Sequence, residues 1–289
     1  MQVNNHPLAQ WLQPLRRIIK NFIGKLPLPI AEFLLFGLKM AWSCLFAASL
    51  LLLLLLTHYL WQPNFVIARY DFLLVAAIII QSIMLWTKLE SFEELKVIMA
   101  YHVVGTIMEI FKTHVGSWEY PEYSLIKIGG VPLFTGFMYG TVGSFMARAI
   151  RVFEMYFENY PKQIHTIIIA ILIYINFFSH HYIWDFRYII FALIALTYWR
   201  TIIHFRPMDR VYKMPLLLSA ILSSFFMWVA ENIGTFTKTW IYPSQKQAGW
   251  HLVSMQKMGA WFLLLFISFT IVMVILRPNQ RHLAKQKPD

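Results

Sequence analysis

Apolar residues in this chain do not alternate with polar ones; they run on in long blocks divided by short stretches rich in Pro and charge. Eight blocks, near 33–57, 71–87, 95–113, 128–147, 164–180, 187–204, 214–235 and 259–276, approach or meet the roughly 20 apolar residues that carry a helix across a bilayer. The second and sixth are short. Ahead of them, Trp11, Leu12, Leu15, Ile18, Ile19, Phe22 and Leu26 recur at helical spacing, with Gln13, Arg16, Arg17, Lys20 and Asn21 on the other side. That pattern predicts an amphipathic helix lying on a membrane surface, ended by Pro27 and Pro29. The expected fold is an all-α, polytopic transmembrane helix bundle. Residues 1–29 form its interfacial N-terminal segment, 30–276 a single integral membrane domain, and 277–289 a basic cytoplasmic tail. The first long run lacks a small-residue cleavage site, so it is expected to insert as an uncleaved anchor.

Composition sharpens this picture. With 58% hydrophobic and 13% charged residues, the chain cannot present a soluble surface of mixed charge, and membrane lipids are its expected surroundings. The net charge of +11 does not point to nucleic acid, because the basic residues lie between apolar blocks rather than along one face. Their distribution reports orientation instead. Alternate connections and the two ends carry 17 Lys and Arg, against 7 on the other connections, which predicts that both termini are cytoplasmic and that the number of spans is even. Cys44 stands alone, excluding an intramolecular disulfide and any multi-cysteine metal site.

The chain also repeats. Glu109, Trp118, Tyr120 and Pro121 recur as Glu231, Trp240, Tyr242 and Pro243, each at an offset of 122. His58-Tyr59-Leu60-Trp61 returns as His181-Tyr182-Ile183-Trp184 at 123, and each precedes an Asp-Phe pair, Asp71-Phe72 and Asp185-Phe186. The eight helices therefore read as a tandem parallel repeat of four plus four, about 33–147 and 164–276, with the symmetry axis along the membrane normal. Both sets of motifs fall on the non-cytoplasmic face.

Candidate chemistry gathers beneath that face. A glutamate inside a transmembrane helix is costly unless it pairs, protonates or faces a polar cavity, and Glu109 and Glu231 are such residues, one in each copy. They are the leading candidates for acid–base work, with His102 and His181 as further catalytic candidates. Lys112, one turn beyond Glu109, is placed to neutralise it. Lys112, Asn232, Trp118, Tyr120, Trp240, Tyr242 and Asp185 are candidate substrate-binding residues. Bland roles compete with each: a satisfied buried acid, aromatic-belt anchors for the rings, a first-turn dipole partner for the aspartates. His180 and His181 with Asp185 give only a weak metal pattern, and no metal site is expected. The chain has no phosphate-cradling glycine loop, serine elbow or haem motif, and no cofactor is expected.

The stretches Glu231-Asn232-Ile233-Gly234-Thr235-Phe236 with Trp240-Ile241-Tyr242-Pro243, Phe111-Lys112-Thr113 with Gly116-Ser117-Trp118, Gly129-Gly130-Val131-Pro132-Leu133-Phe134, and Arg69-Tyr70-Asp71-Phe72 resemble the YoaT-like family of bacterial integral membrane proteins. The resemblance covers nearly all of 30–276. It implies a multi-pass protein of the bacterial cytoplasmic (inner) membrane and no particular reaction. More loosely, Glu followed by Gly and Trp-x-Tyr is similar to membrane carotenoid cyclases and hydratases, although Glu93-Glu94 is expected in a cytoplasmic loop rather than in a helix. Two functional readings follow: an intramembrane site on Glu109 and Glu231 that binds or transforms an isoprenoid or other lipid-like substrate, and a proton-coupled transporter or exporter of a small solute.

Overall fold

The computed structural model describes residues 23–62 and 64–276. The amphipathic helix expected up to residue 26 falls almost wholly, and the basic tail wholly, outside the described residues. The chain is mostly helical: α1 (Leu28–Ser43), α2 (Leu45–Leu60), α3 (Arg69–Trp86), α4 (Phe92–His114), α5 (Phe134–Val152), α6 (Gln163–Ser179), α7 (Arg187–Tyr198), α8 (Leu216–Phe236), the short α9 (Pro243–Ala248) and α10 (Gln256–Leu276). Two small sheets complete it. Strands β1 (Lys127–Ile128) and β2 (Val131–Pro132) form a hairpin, and β3 (Tyr156–Glu158), β4 (Ile202–Phe205) and β5 (Tyr212–Pro215) form an antiparallel sheet in the order β3-β4-β5. Among the described residues α3, α8 and α10 are long and apolar enough to cross a membrane, and the α1–α2 pair makes a fourth if counted together.

Two departures from the hydropathy pattern have local causes. The expected first span is broken at Cys44, where α1 and α2 meet at 68°. Lys39 on α1 reaches across to donate to Arg206 O (2.9 Å), tying α1 to the β4–β5 hairpin. The expected sixth span, 187–204, ends as a helix at Tyr198, because Ile202–Phe205 pairs on both sides, with Tyr156–Glu158 and with Tyr212–Pro215. At about 1.5 Å per residue α7 covers only about 18 Å. Glu93 and Glu94 do not lie in a loop. They open α4, where Ser91 Oγ accepts from Glu94 N (3.2 Å) and Glu94 Oε2 accepts from Ser91 N (2.7 Å), a capping box.

Helix α4 packs along α5 with glycines at the seam: Gly136 faces the His102 ring, Gly140 faces Ile98 and Gly143 faces Val97. Two apolar clusters flank this pair. One joins α4, α6, α7 and α10 through Tyr101, Ile173, Ile194 and Phe266; the other joins α2 and α3 to the Trp118 and Trp240 indoles through Phe46, Leu50, Leu73 and Ala77. Large side chains elsewhere on the helices face outward, including Leu52, Ile79, Ile171, Leu196 and Phe226. Buried arginines hold the two ends. Arg69 donates to Thr57 Oγ1 (2.9 Å), Glu122 Oε1 (2.5 Å) and Thr237 O (3.2 Å), joining α2, α3 and two turns. At the opposite end Arg148 pairs with Glu90 (2.8 Å), both wholly buried.

Candidate functional site

Helices α4 and α8 end alike. Gly116 (φ +71°) and Lys238 (φ +53°) take the left-handed conformation, and the next residue's amide closes a six-to-one bond, Ser117 N to Lys112 O (2.9 Å) and Thr239 N to Gly234 O (3.0 Å). Each turn sends the chain back beneath its own helix. Trp118 Nε1 and Tyr120 OH both donate to Glu109 Oε2 (2.8 Å each); Trp240 Nε1 and Tyr242 OH both donate to Glu231 Oε1 (3.0 and 2.5 Å). The indole of Trp240 lies so close over α8 that a Cβ on Gly234 would come within 1.9 Å of it. The two turns then meet: Glu119 and Ile241, themselves 122 apart, exchange both backbone hydrogen bonds (3.0 Å each) as an antiparallel bridge.

The two acids differ in one respect. Tyr139 OH, from α5, donates to Glu109 Oε1 (2.6 Å), an approach that Gly105 permits, since a Cβ there would stand 2.5 Å from the Tyr139 ring. Both oxygens of Glu109 are thus occupied. The residue 122 positions after Tyr139 is Trp261, and among the described residues no donor reaches Glu231 Oε2.

Both acids line a cavity of about 820 Å³. Its polar end adds Lys112, Lys257, Arg187, His180 and His181; its apolar wall draws on α2, α5, α8 and α10, with the α2 side running from Leu54 to Cys44 and Met40. Phe226, on the α8 part of that wall, is 69% exposed. His181, in the turn after α6, is pushed down to about 4 by burial and by the neighbouring Lys112, and so is neutral at ordinary pH. Asp185 lies below the usual carboxylate range: burial opposes this, but the Arg187 amide and the Asn176 amide group both donate to it.

Of the residues singled out from sequence, Glu109, Glu231, His181, Lys112, Trp118, Tyr120, Trp240 and Tyr242 all line this cavity. Lys112 does not neutralise Glu109. Its Nζ sits 2.7 Å from His181 Nε2 and 3.3 Å from His180 Nε2, while neutral donors fill the acid. Three candidates stand apart. His102 packs against Gly136 and Phe137 in the α4–α5 seam; Asn232 bridges Trp228 O and Val253 N (2.8 Å each); Asp185 holds Arg187 Nε at 2.6 Å outside the cavity lining. Asp71 likewise receives Ser124 Oγ, Leu125 N and Ile126 N, fixing a turn rather than its own helix end. No group of three His, Cys, Asp or Glu side chains among the described residues has metal-holding geometry. Sequence reasoning passed over Tyr139, Lys257, Trp261 and Asn176. Tyr139 and Trp261 were open to discovery by carrying the offset of 122 beyond the motifs; Lys257 had no local signal.

The chain is 38% identical to the uncharacterized protein YoaT of Bacillus subtilis (strain 168) over 260 residues, covering 90% of this chain and 97% of that protein. No solved structure matches. The model of a family described as protein of unknown function (DUF817) matches residues 32–269, which takes in both glutamates and both Trp-x-Tyr-Pro turns. By that match and that relative, the chain belongs to the DUF817 family, whose members include the YoaT-like proteins.

Proposed function

We propose that this protein lies in a membrane as eight spans in two related halves, and that its central cavity binds and acts on an isoprenoid or similar lipid-like molecule, with Glu231 as the proton-exchanging acid. The observation that carries the reading is the cavity's shape and chemistry. An apolar wall that carries the exposed Phe226 on α8, read as a side opening toward lipid, leads to a polar end where, among the described residues, one oxygen of the buried Glu231 has no donor. A side opening suits a substrate that arrives dissolved in lipid, whereas a polar solute needs a path along the normal. A free carboxylate oxygen in such a pocket is in position to accept or return a proton. Glu109, saturated by three donors, holds its own turn in register instead.

Membrane placement is supported by the outward-facing Leu, Ile and Phe side chains on α2, α3, α6, α7 and α8, since soluble proteins seldom expose large apolar patches, and the count of eight rests on the eight apolar blocks of the sequence. The distribution of Lys and Arg supports cytoplasmic termini, and the inner-membrane location rests on the resemblance to the YoaT-like family of bacterial membrane proteins. The twofold-like bridge of Glu119 to Ile241 and the matched helix ends support the repeat.

The test uses the full chain in lipid nanodiscs with a photoactivatable polyprenol. Crosslinks are expected on α2 and α8 around Cys44 and Phe226, together with turnover of polyprenoid extracts that Glu231→Gln abolishes. Absence of both labelling and turnover across a broad panel of chain lengths overturns the reading. Uptake of a polar solute by proteoliposomes, driven by a pH gradient and lost in Glu109→Gln, would replace it with proton-coupled transport.

A further inference from the structure

The two acids explain the aromatic rings of the cavity but leave its cations unexplained. Lys112 and Lys257 both line the polar end, and among the described residues neither lies within ion-pair distance of a carboxylate. Lys112 is only 3% exposed. Around its ammonium stand His181 Nε2 (2.7 Å), His180 Nε2 (3.3 Å) and the Phe177 ring (4.3 Å). His180 Nδ1 lies 2.9 Å from the Asn176 carbonyl, which can only accept, so Nδ1 carries the proton and Nε2 turns its lone pair to Lys112. Every neighbour is neutral.

Lys257 is arranged differently to the same effect. Its ammonium lies over the Tyr242 ring (4.3 Å) and the Trp118 ring (5.6 Å). Those rings direct their O–H and N–H to Glu231 and Glu109. Each ring thus meets an acid at its tip and the ammonium on its face, and stands between the opposite charges. Arg187, the third cation, is already paired with Asp185. Two ammonium groups therefore face the cavity without a direct ion pair among the described residues, the cavity's own carboxylates being bound to ring donors, an arrangement that an added anion would relieve.

We propose that the polar end of the cavity binds the phosphate-monoester head of a long-chain lipid, held between Lys112 and Lys257, with the chain lying along the apolar wall of α2 and α8. This rests on the lipid-binding reading above and specifies the substrate class. A phosphomonoester carries about −1.5 to −2 charge near neutral pH and so matches two ammonium groups, while a carboxylate or phosphodiester brings a single charge. Lysine serves phosphate as a point charge and does not need the planar fork of arginine.

Native mass spectrometry of the full chain in detergent, with farnesyl phosphate, farnesol and inorganic phosphate as probes, tests it. Farnesyl phosphate is expected to bind about tenfold or more tighter than farnesol. That advantage should vanish in Lys112→Met and in Lys257→Met, persist in Lys112→Arg, and leave farnesol binding unchanged throughout. Thermal unfolding identifies any variant that fails to fold, and the two lysines, on different helices, serve as independent tests. Equal binding of farnesol and farnesyl phosphate overturns the head-group assignment while the lipid-binding reading stands. Binding of neither lipid overturns both. Lysine-dependent binding of inorganic phosphate without farnesyl phosphate would mark a site for a free anion and overturn the lipid head.

Discussion

Glu109 and Glu231 sit at the same point of two like-built helix ends, each beneath an indole and a phenol from its own turn, yet they are not the same site. Tyr139 closes the first carboxylate; its counterpart by offset, Trp261, has no hydroxyl and leaves the second open. The lesson is that one donor from a neighbouring helix separates a structural acid from an available one. The neighbours diverge too: where the first half has Lys112 the second has Gly234, and where the first has Thr135 the second has Lys257.

The largest expected effect breaks this comparison directly. Glu231→Gln should lower turnover of the lipid substrate by about a hundredfold or more, the usual scale for losing a general acid or base, while Glu109→Gln lowers it much less. Equal losses would mean that the open oxygen has no special role. For stability the order reverses. Glu109→Gln puts an amide among three donors and is expected to cost about 3 kcal/mol in chemical unfolding, against roughly half that for Glu231→Gln. Gly234→Ala forces Trp240 off α8 and should cost about 2 kcal/mol, read as a lower unfolding midpoint and altered indole fluorescence. Tyr139→Phe makes Glu109 resemble Glu231; a loss of about 1 kcal/mol is expected, together with new reactivity of Glu109 toward a carboxyl-directed carbodiimide.

The smallest effect concerns His181. Its pKa is lowered from 6.5 to about 4, so the folded form binds fewer protons than the unfolded one between those values, and the stability it contributes declines as pH falls through that window. Histidine-selective ¹⁵N spectra should show a neutral ring from pH 5 to 8, and Lys112→Met should move its titration back toward the ordinary range. A cationic ring at pH 6 in the unaltered protein would contradict the Lys112 pairing.

Much of this site was legible in the sequence because its defining contacts are local. Glu109 to Trp118 and Glu231 to Trp240 each span one turn, and a fixed offset exposes both at once. What stayed hidden was tertiary. Lys112 finds its partners at His180 and His181, on the far side of α5 and α6 in sequence, so the nearer Glu109 looked like the better match. The break at Cys44 has neither Pro nor Gly to mark it, and only Arg200 and Thr201 separate the Ile202–Phe205 strand from the apolar run before it. The capping box of α4 was readable as Ser91 followed by Glu94, yet the charge of Glu93 and Glu94 suggested a loop.

The bridge between Glu119 and Ile241 has a consequence of another kind. A residue that pairs with its own counterpart makes a self-complementary contact, the kind that relates two identical subunits in a twofold dimer. If the halves share an origin, a chain holding only one of them could already have met a second copy of itself through these same two hydrogen bonds, with two equal acids facing one chamber. On that premise, joining the copies into one gene would release each acid from the other's sequence, and the Tyr139 and Trp261 pair is where such a symmetric vessel would first acquire a front and a back.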